Sequence, residues 1–165
     1  MKNSKLGGFS AYLGTLGALV ILCIVLTIAT NKFLTYSNLM SVLKQTTFTA
    51  LLSTGMLLCL ITAGIDLSVG ANATFCACMC GMMVKGGMTN PVILIIVALI
   101  AGTIIGLING TLLTRLHLPH PFVSTLGMKN FLWGASLLVT GSQMISGFPD
   151  GFMALGSATV GGFPI

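Results

Sequence analysis

Acidic residues are almost missing from this chain. Asp66 and Asp150 are its only carboxylates, and charged residues of both signs make up 5% of 165 positions, against roughly 25% in a soluble domain. So few charges cannot cover the surface of a soluble protein of this length. The shortage also excludes most catalysis, because no carboxylate pair, nucleophile beside a base or glycine-rich phosphate loop is present. The only histidines, His117 and His120, share the loop "RLHLPHPF", and an enzyme is not expected. Nucleic-acid binding is excluded on similar grounds. The net charge of +5 comes from Lys2, Lys5, Lys32, Lys44, Lys85, Arg115 and Lys129, which are scattered and form no patch.

What the chain has in abundance is apolar surface. Apolar residues are 55% of the sequence and the mean hydropathy is +1.06. Runs of 18 or more apolar residues point to membrane-spanning helices rather than barrel strands, which alternate over about ten residues. An all-α, polytopic helical membrane protein is therefore expected. Five cysteines (Cys23, Cys59, Cys76, Cys78 and Cys80) lie inside the apolar runs. "CACMC" has no nearby histidine or acid to complete a metal site, so these are read as small packing residues with no metal or cofactor role.

Polar breaks divide the chain into five predicted spans within a single transmembrane domain, 1–165. They cover roughly 12–29, 47–63, 67–84, 92–113 and 122–140. Lys2 and Lys5 before the first run resemble a signal peptide, but the run is long and "TIATN" is a weak cleavage site, so an uncleaved span is expected. Residues 38–45 carry Leu39, Val42 and Leu43 at helical spacing and are predicted as an amphipathic lead-in at the interface. Residues 141–165 form an outer, glycine-rich segment with no run long enough to cross, and Asp150 within it is expected to be solvated. With the N-terminus in the cytoplasm, Lys2, Lys5 and Arg115 lie inside while Lys32, Lys44 and Lys85 lie outside, so the basic residues do not choose an orientation.

Small residues recur every four positions within the spans. The fourth carries Ala98, Gly102, Gly106 and Gly110, the third Ala73, Ala77 and Gly81, the second Gly55, Cys59 and Ala63. Such faces let helix backbones approach closely in lipid, and a compact bundle is predicted.

Asp66 is the sharpest feature, lying in "ITAGIDLSVGA" between the second and third spans. An aspartate at the bilayer centre costs about 2.5–3.5 kcal/mol. Gly64 can end the second span, and the carboxylate can then accept the N–H groups of Ser68 and Val69 at the start of the third. Ile65, Leu67 and Val69 alternate with polar residues, so the apolar side of this turn is predicted to pack in protein. Gly64, Ile65, Asp66, Leu67, Ser68 and Gly70 thus form a broken-helix turn. It either lies beside a translocation path or is a capped turn near the cytoplasmic face. Lys129 lies well inside the fifth span and either snorkels to the interface or lines a path.

"LITAGIDLSVGA" resembles the hallmark of the ribose-type permease subunits of bacterial ABC sugar importers. "GLINGTLLTRLHLPHPFVSTLGM" and "GASLLVTG" resemble two further segments of that family in the same order, and "NKFLTYSNLMSVLKQ" fits its approach to the second span. Two positions depart from the pattern: His120 interrupts a tighter "PPF", and "KNFLWG" places Lys129 earlier than the family's usual charge. The resemblance implies a multi-pass protein of the bacterial cytoplasmic (inner) membrane, with its N-terminus inside. It implies a second permease subunit, two ATPase subunits that bind the ATP, and a periplasmic sugar-binding protein as partners. Asp66 and Ser68 would shape the path rather than contact sugar. Family members are about twice as long, so a fragment, a truncated product or half of a split permease is expected. Two other functions fit the residues. One is an ion-coupled secondary transporter, with Asp66 binding a proton or sodium ion. The other is a non-transporting membrane-interaction remnant.

Overall fold

The structure, a computed structural model, describes residues 4–61, 64–115, 121–157, 159–160 and 163–164. His117 and His120 lie outside the described residues, as does Ala63 at the expected end of the second span. The elements in chain order are α1 (Ser4–Ala29), α2 (Tyr36–Ile61), α3 (Val69–Lys85), α4 (Pro91–Arg115), α5 (Pro121–Thr140) and α6 (Asp150–Ser157). Two two-residue strands follow, β1 (Thr159–Val160) and β2 (Phe163–Pro164), paired antiparallel. The fold is otherwise helical, as expected of a polytopic helical membrane protein.

Local chemistry sets the helix boundaries. The Thr35 hydroxyl accepts the Asn38 N–H at 3.4 Å, which caps the start of α2. The lead-in at 38–45 and the second span are therefore one continuous helix, not two elements. The Asn90 side chain accepts the Val92 N–H at 3.0 Å, so Asn90 caps α4 and Pro91 takes the first helical position, where its missing N–H costs nothing. Two helices end in the same six-residue closure. After α3, Gly87 (φ 93°) and Met88 donate to the Val84 and Met83 carbonyls. After α5, Gly141 (φ 62°) and Ser142 donate to Leu138 and Leu137. Both are left-handed caps that serve otherwise unpaired carbonyls.

The chain groups into two compact units, Met1–Gln45 and Thr46–Ile165. In the second unit α3 packs against both α4 and α5, and α4 also packs against α6. Side-chain contacts give the directions. Early α4 meets late α3, where the Cys80 thiol donates to the Leu94 carbonyl at 3.3 Å. Late α4 meets the start of α3, where Asn109 reaches Ser68. So α4 runs antiparallel to α3, and α5, which contacts the turn before α3 through Thr125, runs parallel to it. Leu94, Leu132, Cys80 and Ser68 are the largest fully buried side chains.

The four-residue stripe of α4 is only partly a packing face. Ala98 and Gly102 are half-buried, but Gly106 and Gly110 are exposed, with nothing within 4 Å of an added Cβ. The buried line runs instead through Leu94, Ile105 and Asn109. The reason is helical phase: at 3.6 residues per turn, each step of four advances about 40° around the axis, so three steps leave the face. In α3, Gly81 is buried while Ala77 is exposed.

Residues 141–157 are more than a loose outer segment. A Cβ on Gly81 would lie 2.7 Å from Ile145 Cγ2 and 3.2 Å from Phe148 Cζ, so this segment folds back and seats Ile145 in the space glycine leaves. Gly151 lies against the Pro91 ring, and Phe148 stacks on Phe152 with centroids 5.5 Å apart. Asp150 is exposed at the start of α6.

Candidate functional site

The turn between α2 and α3 is assembled from a short polar sequence. The Gly64 N–H donates to the Cys59 carbonyl at 3.0 Å and closes α2. One carboxylate oxygen of Asp66 accepts the Ser68 N–H at 2.8 Å and the Ser68 hydroxyl at 2.6 Å. An aspartate bonded to the backbone two residues on forms an Asx-turn. The Ser68 carbonyl then accepts the Asn72 N–H at 2.7 Å, which starts α3. Of the two N–H groups expected on Asp66, the Ser68 N–H is there, and the second contact is the Ser68 hydroxyl rather than Val69. Hydrogen bonds to a charged group contribute about 1.5–3 kcal/mol each, so two are enough to offset the insertion cost.

Two residues from other helices hold this turn. Asn109, on α4, donates its amide N–H to the Ser68 hydroxyl oxygen at 2.8 Å. A relay therefore runs from Asn109 through Ser68 to Asp66. The Thr125 hydroxyl on α5 shares its hydrogen between the Ile65 carbonyl at 3.1 Å and the Pro121 carbonyl at 3.0 Å. One turn into α3, Asn72 donates to the Gly102 carbonyl at 3.2 Å and accepts the Cys76 thiol at 3.4 Å. Ser68, Asn109 and Thr125 are all buried. A buried polar group in a membrane protein faces protein or a wet cavity. Asn109 Oδ1 and Ser124 Oγ are buried without a protein partner among the described residues.

The apolar side of the turn packs less than its alternation predicts. Leu67 and Val69 are half-buried, but Ile65 is exposed. The buried part of the turn is polar, because the carbonyl of Ile65 and the hydroxyl of Ser68 are the groups that need partners away from water. Gly70 is exposed, with open space around it. Lys129 lies exposed on α5, one helical turn past Thr125, and the structure does not bring it to the turn.

Asn72, Asn109 and Thr125 escaped the sequence reading. The signal was present in weak form: each is a polar residue inside a predominantly apolar helix. The bonds they make reach 30, 41 and 60 residues along the chain, and no local spacing announces such partners.

Comparison with known proteins gives a consistent set of matches. A family model described as "Branched-chain amino acid transport system / permease component" matches residues 38–160. The autoinducer 2 import system permease protein LsrC of an Enterobacter species is 33% identical over 94% of this chain and 43% of its own length. The ribose import permease protein RbsC of Haemophilus influenzae is 30% identical over 99% of this chain and 51% of its own. The D-allose transport system permease protein AlsC of Escherichia coli is 29% identical over 95% and 49%. The chain spans about half the length of these curated relatives. No solved structure matches.

Proposed function

This chain belongs to the branched-chain amino acid transport system / permease component family, and from that membership we propose that it is a transmembrane permease subunit of an ATP-driven sugar importer. In this reading it supplies part of the translocation path. It works with a second permease subunit, two ATPase subunits that bind the ATP, and an extracytoplasmic binding protein, in the inner membrane of a bacterium. Ribose- and allose-like sugars are the proposed substrates, because the relatives carrying those names match nearly the whole chain.

The observation that supports a path-adjacent turn is its polar anchoring from both α4 and α5. Helix α3 has 17 residues and is about 26 Å long, shorter than the roughly 30 Å hydrocarbon core. If Lys85 sits at one interface, the turn sits below the other, at membrane depth. Irregular backbone is tolerated there where it is buried in protein or lines a cavity. The Asp66–Ser68–Asn109 relay and the Thr125–Ile65 bond supply the partners that lipid cannot.

The test is recovery of partners and the energy source. Affinity capture of the tagged chain from native membranes is expected to return a nucleotide-binding ATPase subunit. Sugar uptake by the reconstituted assembly is expected to require ATP. Capture without an ATPase, together with uptake driven by an imposed proton or sodium gradient, would replace the importer reading with ion-coupled transport.

A further inference from the structure

Helix α5 carries three donor side chains with no acceptor among the described residues. Lys129, Asn130 and Trp133 are exposed, and no hydrogen bond, ion pair or ring contact from a described residue reaches their side chains. Successive helical residues turn about 100°, so all three fall within one arc of about that width, together with Leu126 and Leu137. Lys129 brings three N–H donors, Asn130 two and the Trp133 indole one, against a single acceptor, the Asn130 amide oxygen. We propose that this strip is the docking face for a transmembrane helix of a different protein chain, one that places an aspartate or glutamate opposite Lys129.

Depth excludes the lipid surface as the partner. Helix α5 has 20 residues and is about 30 Å long, enough to cross the hydrocarbon core. Lys129 lies eight residues past Pro121 and eleven before Thr140, or about 12 and 16 Å from the two ends. The lysine stem covers about half of the shorter distance, so the ammonium falls short of the headgroups. A cation held at that depth faces protein or a wet cavity and pairs with an opposite charge. Charge then identifies the occupant. The chain has only two side-chain carboxylates. Asp66 is held by the Ser68 N–H and hydroxyl, and Asp150 starts α6, beyond the far end of α5. A second copy of this chain brings the same two acids in the same places. Pairing α5 with α5 about a twofold axis would also set the two Lys129 ammoniums on one interface. The carboxylate therefore comes from a different chain. Leu126, Trp133 and Leu137 give its helix apolar contacts, and Lys129, Asn130 and the Trp133 N–H give its carboxylate donors, the polar bonding that joins helices in lipid.

This inference deepens the permease reading and rests on it only for the source of the helix, a second and non-identical permease chain. Native membranes holding the tagged full chain are treated with an apolar carbodiimide, which joins a carboxylate to an amine when the two are in contact. Mass spectrometry is expected to find Lys129 joined to an aspartate or glutamate inside an apolar segment of another chain. Without the reagent, Lys129→Gln should lower co-capture of that chain by about tenfold. Lys129→Arg keeps the charge but forms no such amide, so it should retain the capture and lose the crosslink. Lys129→Glu should abolish capture, and an acid-to-lysine change at the joined position of the other chain should restore it, which misfolding of the single variant would not allow. No crosslink at Lys129, a crosslink to Asp66 or Asp150, or a capture that Lys129→Gln leaves unmoved would overturn the docking face. A crosslink to the acid of a chain that is not a permease would uphold the face and count against the importer reading. Capture of an ATPase with no acid joined to Lys129 would sink the face alone.

Discussion

One oxygen of Asp66 takes both Ser68 donors, at 2.8 and 2.6 Å, so asparagine at this position keeps the same acceptor. Asp66→Asn exchanges two charge-assisted bonds for neutral ones and is expected to cost about 1 kcal/mol. Asp66→Ala leaves both Ser68 donors without their acceptor, and the Ser68 hydroxyl, being buried, has no water to turn to. A loss of about 2–3 kcal/mol is expected. Unfolding of the two variants in mixed micelles measures the difference. Equal losses would show that charge, and not the acceptor, holds the turn. The Asp66–Ser68 pair was legible because its partners are two residues apart, and a carboxylate this costly needs donors close by. Asn109 was not legible, since its bond to Ser68 depends on the pairing of α4 with the start of α3.

Between elements, the closest fit is Ile145 against Gly81. A methyl group on Gly81 would meet Ile145 Cγ2 at 2.7 Å and Cδ1 at 3.1 Å. Gly81→Ala must therefore displace the returning segment or bend α3, and overpacking of this kind costs about 1–3 kcal/mol. Adding Ile145→Ala removes the obstructing atoms. The double variant is expected to unfold at a higher temperature than Gly81→Ala alone, and non-additivity between the two sites measures the contact. No rescue would mean that the segment does not seat on α3. At this scale the helix ends were readable, because Asn90–Pro91, Gly86–Gly87 and Gly141 are chemical stop and start signals. The packing faces were less so. A four-residue repeat marks a face only over a turn or two before it rotates away, which is why Gly102 faces α3 and Gly110 does not. The return of residues 141–157 was hidden because its contacts are long-range and glycine-rich sequence carries no periodicity.

For the whole molecule, composition alone separated membrane from soluble chemistry, whereas the number of crossings is a matter of how helices pair. Among the described residues, two segments, Tyr12–Ala29 and Pro91–Arg115, are long and apolar enough to cross by themselves. Helix α5 has 20 residues and is about 30 Å long, enough to cross the hydrocarbon core. Its sequence is interrupted by Ser124, Thr125, Lys129 and Asn130. Its hydroxyls at Thr125, Ser136 and Thr140 are spent on its own carbonyls, which lowers their cost in lipid. It also runs parallel to α3, with α4 antiparallel between them in sequence, the arrangement of three successive crossings. Residues just before α4 and just after α5 should then share one face of the bilayer, with the end of α4 on the other. Single cysteines at the exposed positions Thr89→Cys, Ser146→Cys and Arg115→Cys, in a chain whose five native cysteines are replaced, test this with a membrane-impermeant thiol reagent. Thr89→Cys and Ser146→Cys are expected to react from outside the cell, and Arg115→Cys only after the membrane is opened. If Ser146→Cys instead follows Arg115→Cys, α5 does not cross. The anchoring of the Ile65 carbonyl by Thr125 would then have to be read as a contact at the membrane surface, and the turn would lose its place at membrane depth.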